Sequence, residues 1–141
     1  MNRGLLLVLS APSGAGKGTI IKRLMDDDRS LKLSVSATTR APRPDEIDGV
    51  DYFFLSRDEF DGLVKNGEML EHAEYVGNCY GTPKGPVESW LSDGQNVILE
   101  IDVQGGAQVK KIMPECVSIF ILPPSMRELE NLKEEEALAR I

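Results

Sequence analysis

A lysine flanked by glycines, in the run Ala11-Pro-Ser-Gly-Ala-Gly-Lys-Gly-Thr19, is where residue type and spacing most clearly suggest chemistry. Lying between an apolar run and a helical pattern, such a loop turns the backbone amides of Ser13, Gly14, Ala15, Gly16, Lys17, Gly18 and Thr19 toward an anion. The glycines permit close approach and the Lys17 ammonium reaches β- and γ-phosphates. A purely connecting glycine-rich turn would give no reason for a lysine at the helix start. The general phosphate-loop pattern is met with two departures. Ala11 stands in the first glycine slot, and Gly18 stands where a magnesium-binding hydroxyl is expected, with Thr19 one residue late.

A second set of candidates lies in Ser36-Ala-Thr-Thr-Arg-Ala-Pro-Arg-Pro44, where two prolines stiffen a loop holding Arg40 and Arg43, with Tyr52 following a short acidic stretch. Guanidinium groups held this way suit bidentate phosphate binding, although two arginines in a surface loop are more often solvated charge. Other reactive types read as structural. His72, the only histidine, is expected on the face of a strand opposite Glu71; Trp90 is expected to pack; Glu128, Glu130 and Glu134 to Glu136 read as a solvated helix face. Cys79 and Cys116 lack metal-ligand spacing and are expected as free thiols.

The elements needed to position these groups alternate along the chain. Residues 5–9 form a short buried strand feeding the glycine loop, and Ile20, Ile21 and Leu24 recur at helical spacing up to the acidic residues 26–28. Residues 33–36 suggest a short strand, residues 40–51 a loop, and residues 52–55 another strand. Ser56-Arg-Asp-Glu59 is a capping box opening a helix through Val64. Residues 68–80 read as extended segments joined through Gly77-Asn78, residues 86–91 as a helix, and residues 96–103 as a buried strand ending in acids. A helix over 104–113 and a further central strand over 117–122 follow. The alternation implies an α/β fold: a mainly parallel sheet flanked by helices, with ligands at the carboxyl ends of its strands. Short strands interrupting it suggest a small inserted lobe, so the expected organisation is a core of residues 1–35 and 84–141 and a lobe of residues 36–83.

Bulk properties narrow the partners. The chain has 141 residues, 41% hydrophobic and 28% charged, with a formal net charge of -7. That size supports one domain with a real core, and the acidic balance disfavours nucleic acid and anionic membranes as partners of the whole surface. The apolar run near the start is too short to span a bilayer, and a cytoplasmic location is expected.

Leu70-Glu-His-Ala-Glu-Tyr-Val-Gly-Asn-Cys-Tyr-Gly-Thr82 and Ile98-Leu-Glu-Ile-Asp-Val-Gln-Gly105, added to the glycine loop, the arginine loop and Ser118-Ile-Phe-Ile-Leu-Pro-Pro-Ser125, make the sequence resemble guanylate kinases of the bacterial type over nearly its whole length. The Gly-Lys-Gly-Thr variant fits the nucleoside monophosphate kinases. The resemblance implies a P-loop fold with an inserted GMP-binding lobe, and transfer of the γ-phosphoryl group of ATP to GMP with Mg²⁺ as cofactor. It implies that Lys17 and Arg40 are catalytic and that the loop from Ser13 to Thr19 binds ATP. Arg40, Arg43, Tyr52 and Tyr80 would bind the phosphate of GMP; Ser36 and Thr82 would meet the guanine O6, and Glu71 its N1 and N2 edge. Asp102 would lie beside the acceptor nucleotide, and Thr19 and Glu100 would serve the metal directly or through water. The family continues past Pro-Pro-Ser with an arginine-rich lid, a strand and a terminal helix. Residues 126–141 lack that basic, glycine-containing signature, so either the sequence is cut short or the lid is missing at the Asn131–Leu132 junction together with the C-terminal elements, and the second is the expectation favoured. Two other readings share the motifs: a catalytically inactive, guanylate-kinase-like phosphopeptide-binding domain, whose phosphate loop would be degraded, and a related P-loop kinase for another phosphorylated small molecule.

Overall fold

A computed structural model describes residues 2–11 and 16–122. Ser13, Gly14 and Ala15, and the Asn131–Leu132 junction, lie outside the described residues.

Among the described residues there are two four-stranded sheets. The first is wholly parallel, in the order β2 (Lys32–Leu33), β7 (Val97–Glu100), β1 (Leu6–Ser10), β8 (Val117–Phe120). Period-2 alternation divides its side chains between two cores. Leu6 and Val8 of β1, with Val97 and Leu99 of β7, pack with Val87 and Leu91 of α3 (Lys84–Ser92) and Val109 of α4 (Val103–Ile112). Leu9 and Ile98 face the other way, onto Ile21 and Met25 of α1 (Lys17–Asp27). Being covered on both faces is why these strands read as continuous apolar runs. Trp90 packs against the first core, as its sequence context suggests.

The second sheet is mixed, in the order β4 (Phe53–Phe54), β3 (Ala37–Thr38), β6 (Asn78–Pro83), β5 (Met69–Tyr75). It packs on α2 (Arg57–Lys65) through Ala37, Phe60, Met69 and Cys79. The expected capping box is present: the Ser56 hydroxyl accepts from the Glu59 amide, and the Glu59 carboxylate accepts from the Ser56 amide. Strand β5 joins both units, because Met69 enters the core of the second sheet while Leu70 enters that of the first. From α4, Gln108 clamps the same strand by accepting from the His72 amide and donating to the His72 carbonyl.

The structure departs from the sequence reading in three places. The expected strand over 33–36 is divided: β2 ends at Leu33, and β3 begins at Ala37 in the other sheet, so residues 34–36 are the crossing between them. The β5–β6 turn centres on Val76 and Gly77, not on Gly77-Asn78, with φ of 50° and 78°. Both central residues at positive φ match the twist of a tight hairpin, and Val76 adopts it at a steric cost. Finally, β8 is an edge rather than a central strand among the described residues, and all four of its residues are exposed.

Candidate functional site

The carboxyl ends of β2 and β7 open toward the second sheet, and two cavities lie there. The larger, of about 460 Å³, has Glu100, Asp102 and Gly105 on one side and Ser36, Tyr52, Glu71 and Tyr80 on the other. The smaller, of about 370 Å³, is lined by Lys17 and Asp51 among others. Ser36, Tyr52 and Glu100 line both. Six of the residues singled out in the sequence therefore meet around one space, with Lys17 in the space adjoining it.

Glu71 is the most constrained of them. A register shift between Met69 and Glu71 in the pairing of β5 with β6 accompanies its approach to α4. Thr82, fully buried on the neighbouring strand, donates its hydroxyl to Glu71 Oε1 at 2.8 Å. Burial pushes the Glu71 carboxyl above its ordinary range; the Thr82 hydrogen bond opposes this and the nearby Asp102 charge adds to it. Gly105 leaves room for this packing: a Cβ there would lie 3.1 Å from Glu71 Oε2 and 3.2 Å from Asp102 Oδ1, close enough that one of them would have to give by a few tenths of an ångström. Asp102 caps α4, its Oδ1 accepting from the Gly105 amide at 2.6 Å. The acids expected at the end of β7 are thus split by role, Asp102 fixing a helix start and Glu100 standing exposed at the strand end.

The phosphate loop is described from Gly16 onward. Gly16 takes φ of 84° just before α1, the left-handed conformation that favours glycine. Lys17 is the first helical residue, and Gly18 and Thr19 continue that first turn. Glu100 borders both cavities, so one carboxylate is available to a cation carried by a phosphate ligand. One carboxylate plus substrate phosphates and water is the usual environment of Mg²⁺.

The arginine loop is placed beside this site. Arg40 lies over the rings of Tyr52 and Phe54, 5.2 and 6.0 Å from their centroids, and forms a two-point ion pair with Glu46. Arg43 is exposed, and its backbone amide donates to the same Glu46 carboxylate. Neither arginine lines the two cavities, and Thr82 stands behind Glu71 instead of on the cavity wall. Residues not singled out in the sequence also take part: Gln104 and Gln108 line the larger cavity, and Glu46 holds Arg40. Gln104 and Gln108 sit one helical turn apart just after the Asp102 cap, a spacing that could have placed both on a cavity-facing stripe. Glu46 has no local signal, since its loop follows no period.

The comparisons with known proteins agree with this architecture. The sequence model of the guanylate kinase family matches residues 3–140. A guanylate kinase of Clostridioides difficile is 54% identical over 131 residues, 93% of this chain and 64% of that protein. One of Cereibacter sphaeroides is 58% identical over 131 residues, 92% of this chain and 62% of that protein. The crystal structure of guanylate kinase from Anaplasma phagocytophilum superposes with a TM-score of 0.71 at 42% identity, covering 94% of this chain and 69% of that one. The chain therefore spans somewhat under two thirds of the length of these two relatives. With a parallel sheet opening at its strand ends onto a carboxylate-lined cavity, and a family match running almost from end to end, the chain belongs to the guanylate kinase family.

Proposed function

We propose that the chain binds GMP in the larger cavity and ATP at the glycine loop, and that it transfers the γ-phosphoryl group of ATP to GMP, giving ADP and GDP. The observation behind this reading is the Glu71 carboxylate, held by Thr82 and pressed against the start of α4 in the wall of the larger cavity. Guanine presents N1–H and an exocyclic amine side by side, so a carboxylate accepts from both; binding exchanges the cost of the buried charge for two charge-assisted hydrogen bonds. Adenine offers an acceptor at N1 and leaves the charge unmatched, which polar sites reject by ~10⁴ or more. Ser36 and Asp102 border the same cavity, and Thr82 acts by holding Glu71.

The phosphate of GMP then lies toward Tyr52 and Tyr80, within reach of Arg40 and Arg43, and the Lys17 side faces the phosphates of ATP. On this reading residues 36–83 are the GMP lobe, and the described residues on either side, 2–11, 16–35 and 84–122, belong to the core. A phosphate oxygen of GMP is already an anionic nucleophile, so no general base is required. Catalysis is positioning plus neutralisation of developing charge by Lys17 and Arg40. Glu100 and Thr19 would hold Mg²⁺ or its water, and a bound Mg²⁺ would supply positive charge against that developing on the transferring phosphoryl group. The setting is purine nucleotide metabolism in the cytoplasm, with neither nucleic acid nor membrane as partner; among the described residues no helix is long and apolar enough to cross a bilayer.

A coupled ADP-release assay with GMP, AMP, UMP and CMP under equal Mg-ATP tests the proposal. Release that depends on GMP alone is expected. Equal release with all four nucleotides, or release independent of any acceptor, would remove it.

A further inference from the structure

We infer that Glu46 is a positioning residue, which fixes Arg40 so that one two-donor edge of its guanidinium is presented to the phosphate of the nucleotide; this rests on the reading of the larger cavity as a GMP site. The inference follows from how the donors of Arg40 are used. A guanidinium carries five N–H groups in a rigid plane. Nη1 donates to the Ala41 carbonyl at 3.0 Å and to Glu46 Oε1 at 2.9 Å, and Nη2 donates to Glu46 Oε2 at 2.9 Å. Those bonds occupy the end of the fork and its outer side. Among the described residues the Nε proton and the second Nη2 proton make no further hydrogen bond of ordinary geometry, although the Tyr52 hydroxyl is nearby, and they share the remaining edge, where two parallel donors match two phosphate oxygens.

The carboxylate is itself held. Its Oε1 also accepts from the Arg43 amide at 2.8 Å, so Glu46 is fixed to the backbone of the loop that carries both arginines. The pair is shielded, with side-chain exposures of 17% and 15%. The guanidinium plane lies over Tyr52, which lines both cavities and packs against Tyr80 with ring centroids 6.3 Å apart. The Glu46 hydrogen bond, foremost, raises the Arg40 pKa further above its already high value; burial opposes this, and a hydrogen bond to Tyr52 and the charge of Tyr80 add smaller upward contributions. An incoming phosphate need not displace Glu46, because the carboxylate and the phosphate use different edges.

The experiment is calorimetric titration of the full chain and its variants with GMP and with guanosine, which lacks the phosphate. Glu46→Gln is expected to weaken GMP binding roughly tenfold or more and to leave guanosine binding unchanged. Added to Arg40→Ala, Glu46→Gln should cause no further loss, since its effect runs through Arg40. Glu46→Asp, which keeps the charge but withdraws it by one methylene, is expected to weaken GMP in the same selective way and serves if the glutamine variant does not fold. Unchanged GMP affinity in both variants would overturn the inference. So would equal losses for GMP and guanosine, a full additional loss in the Arg40→Ala background, or tighter GMP binding, which would make Glu46 a competitor of the phosphate. Failure of the unaltered chain to bind GMP would instead remove the functional reading beneath it.

Discussion

Two carboxylates in this chain are tuned in opposite directions, and each carries a pH dependence of opposite sign. Burial raises Glu71, so the folded chain retains a proton that the unfolded chain has released. Its contribution to stability is present at acid pH and is lost as pH rises from the ordinary value of 4.5 through the raised one. Glu71→Gln should therefore raise the melting temperature of the empty chain at neutral pH, since it removes a confined charge and still accepts from Thr82. The same change places an amide donor against a guanine donor and should cost GMP binding about 2 kcal/mol or more. Thermal melts with and without GMP check both halves; a fall in the melting temperature of the empty chain would make Glu71 a structural carboxylate. The Arg40 hydrogen bond, foremost, and the Arg43 amide pull Glu46 from 4.5 down to about 2. Its contribution to stability is full above 4.5 and is lost as pH falls toward 2. The stability gap between the unaltered chain and Glu46→Gln, followed by melts across acid pH, should be full above 4.5 and close as pH falls toward 2. Lys17→Ala should leave folding and GMP binding intact while turnover with Mg-ATP falls by ~10²-fold or more, because a charge contact to the transferring phosphoryl group is lost; unchanged turnover would take Lys17 out of the mechanism.

The start of α4 determines how closely the two sheets can face each other. Asp102 caps the helix and Gly105 leaves room for the Glu71 carboxylate, so the order of residues 102–105 sets both a helix boundary and a cavity wall. Gly105→Ala should keep the helix, since alanine is the better helix former, yet it should push Glu71 aside by a few tenths of an ångström and weaken GMP binding. Titration with GMP beside far-UV circular dichroism checks this; undiminished affinity would show that Glu71 yields without cost. At this scale the sequence was most legible where a local rule operates. The buried strands of the parallel sheet, the capping box at Ser56 and the glycine-loop start of α1 all follow from short-range pattern. The crossing at residues 34–36 and the Val76-Gly77 turn were not legible, because pairing across sheets and hairpin twist decide them, not the local period. The Glu46–Arg40 pair was hidden for the same reason: it lies within an irregular loop, and only folded geometry shows which arginine takes the carboxylate.

At the scale of the whole molecule, the parallel core and the mixed sheet are joined along β5, by Leu70 in the core and by the Gln108 clamp on His72, while the cavities open between them. That arrangement suits a lobe that pivots near β5 and closes over its ligand, bringing Arg40 and Lys17 nearer each other. Spin labels on exposed positions of α2 and α4 should report a shorter mean distance with saturating GMP than without it, and identical distributions would count against closure. The larger cavity, which carries the proposed function, is the feature most open to direct test. Equilibrium titration of the chain with GMP and with AMP, under identical conditions, examines that cavity without requiring turnover. The account predicts saturable GMP binding and an affinity for AMP lower by ~10²-fold or more, because only guanine pairs with Glu71. Equal affinities for the two nucleotides would contradict it.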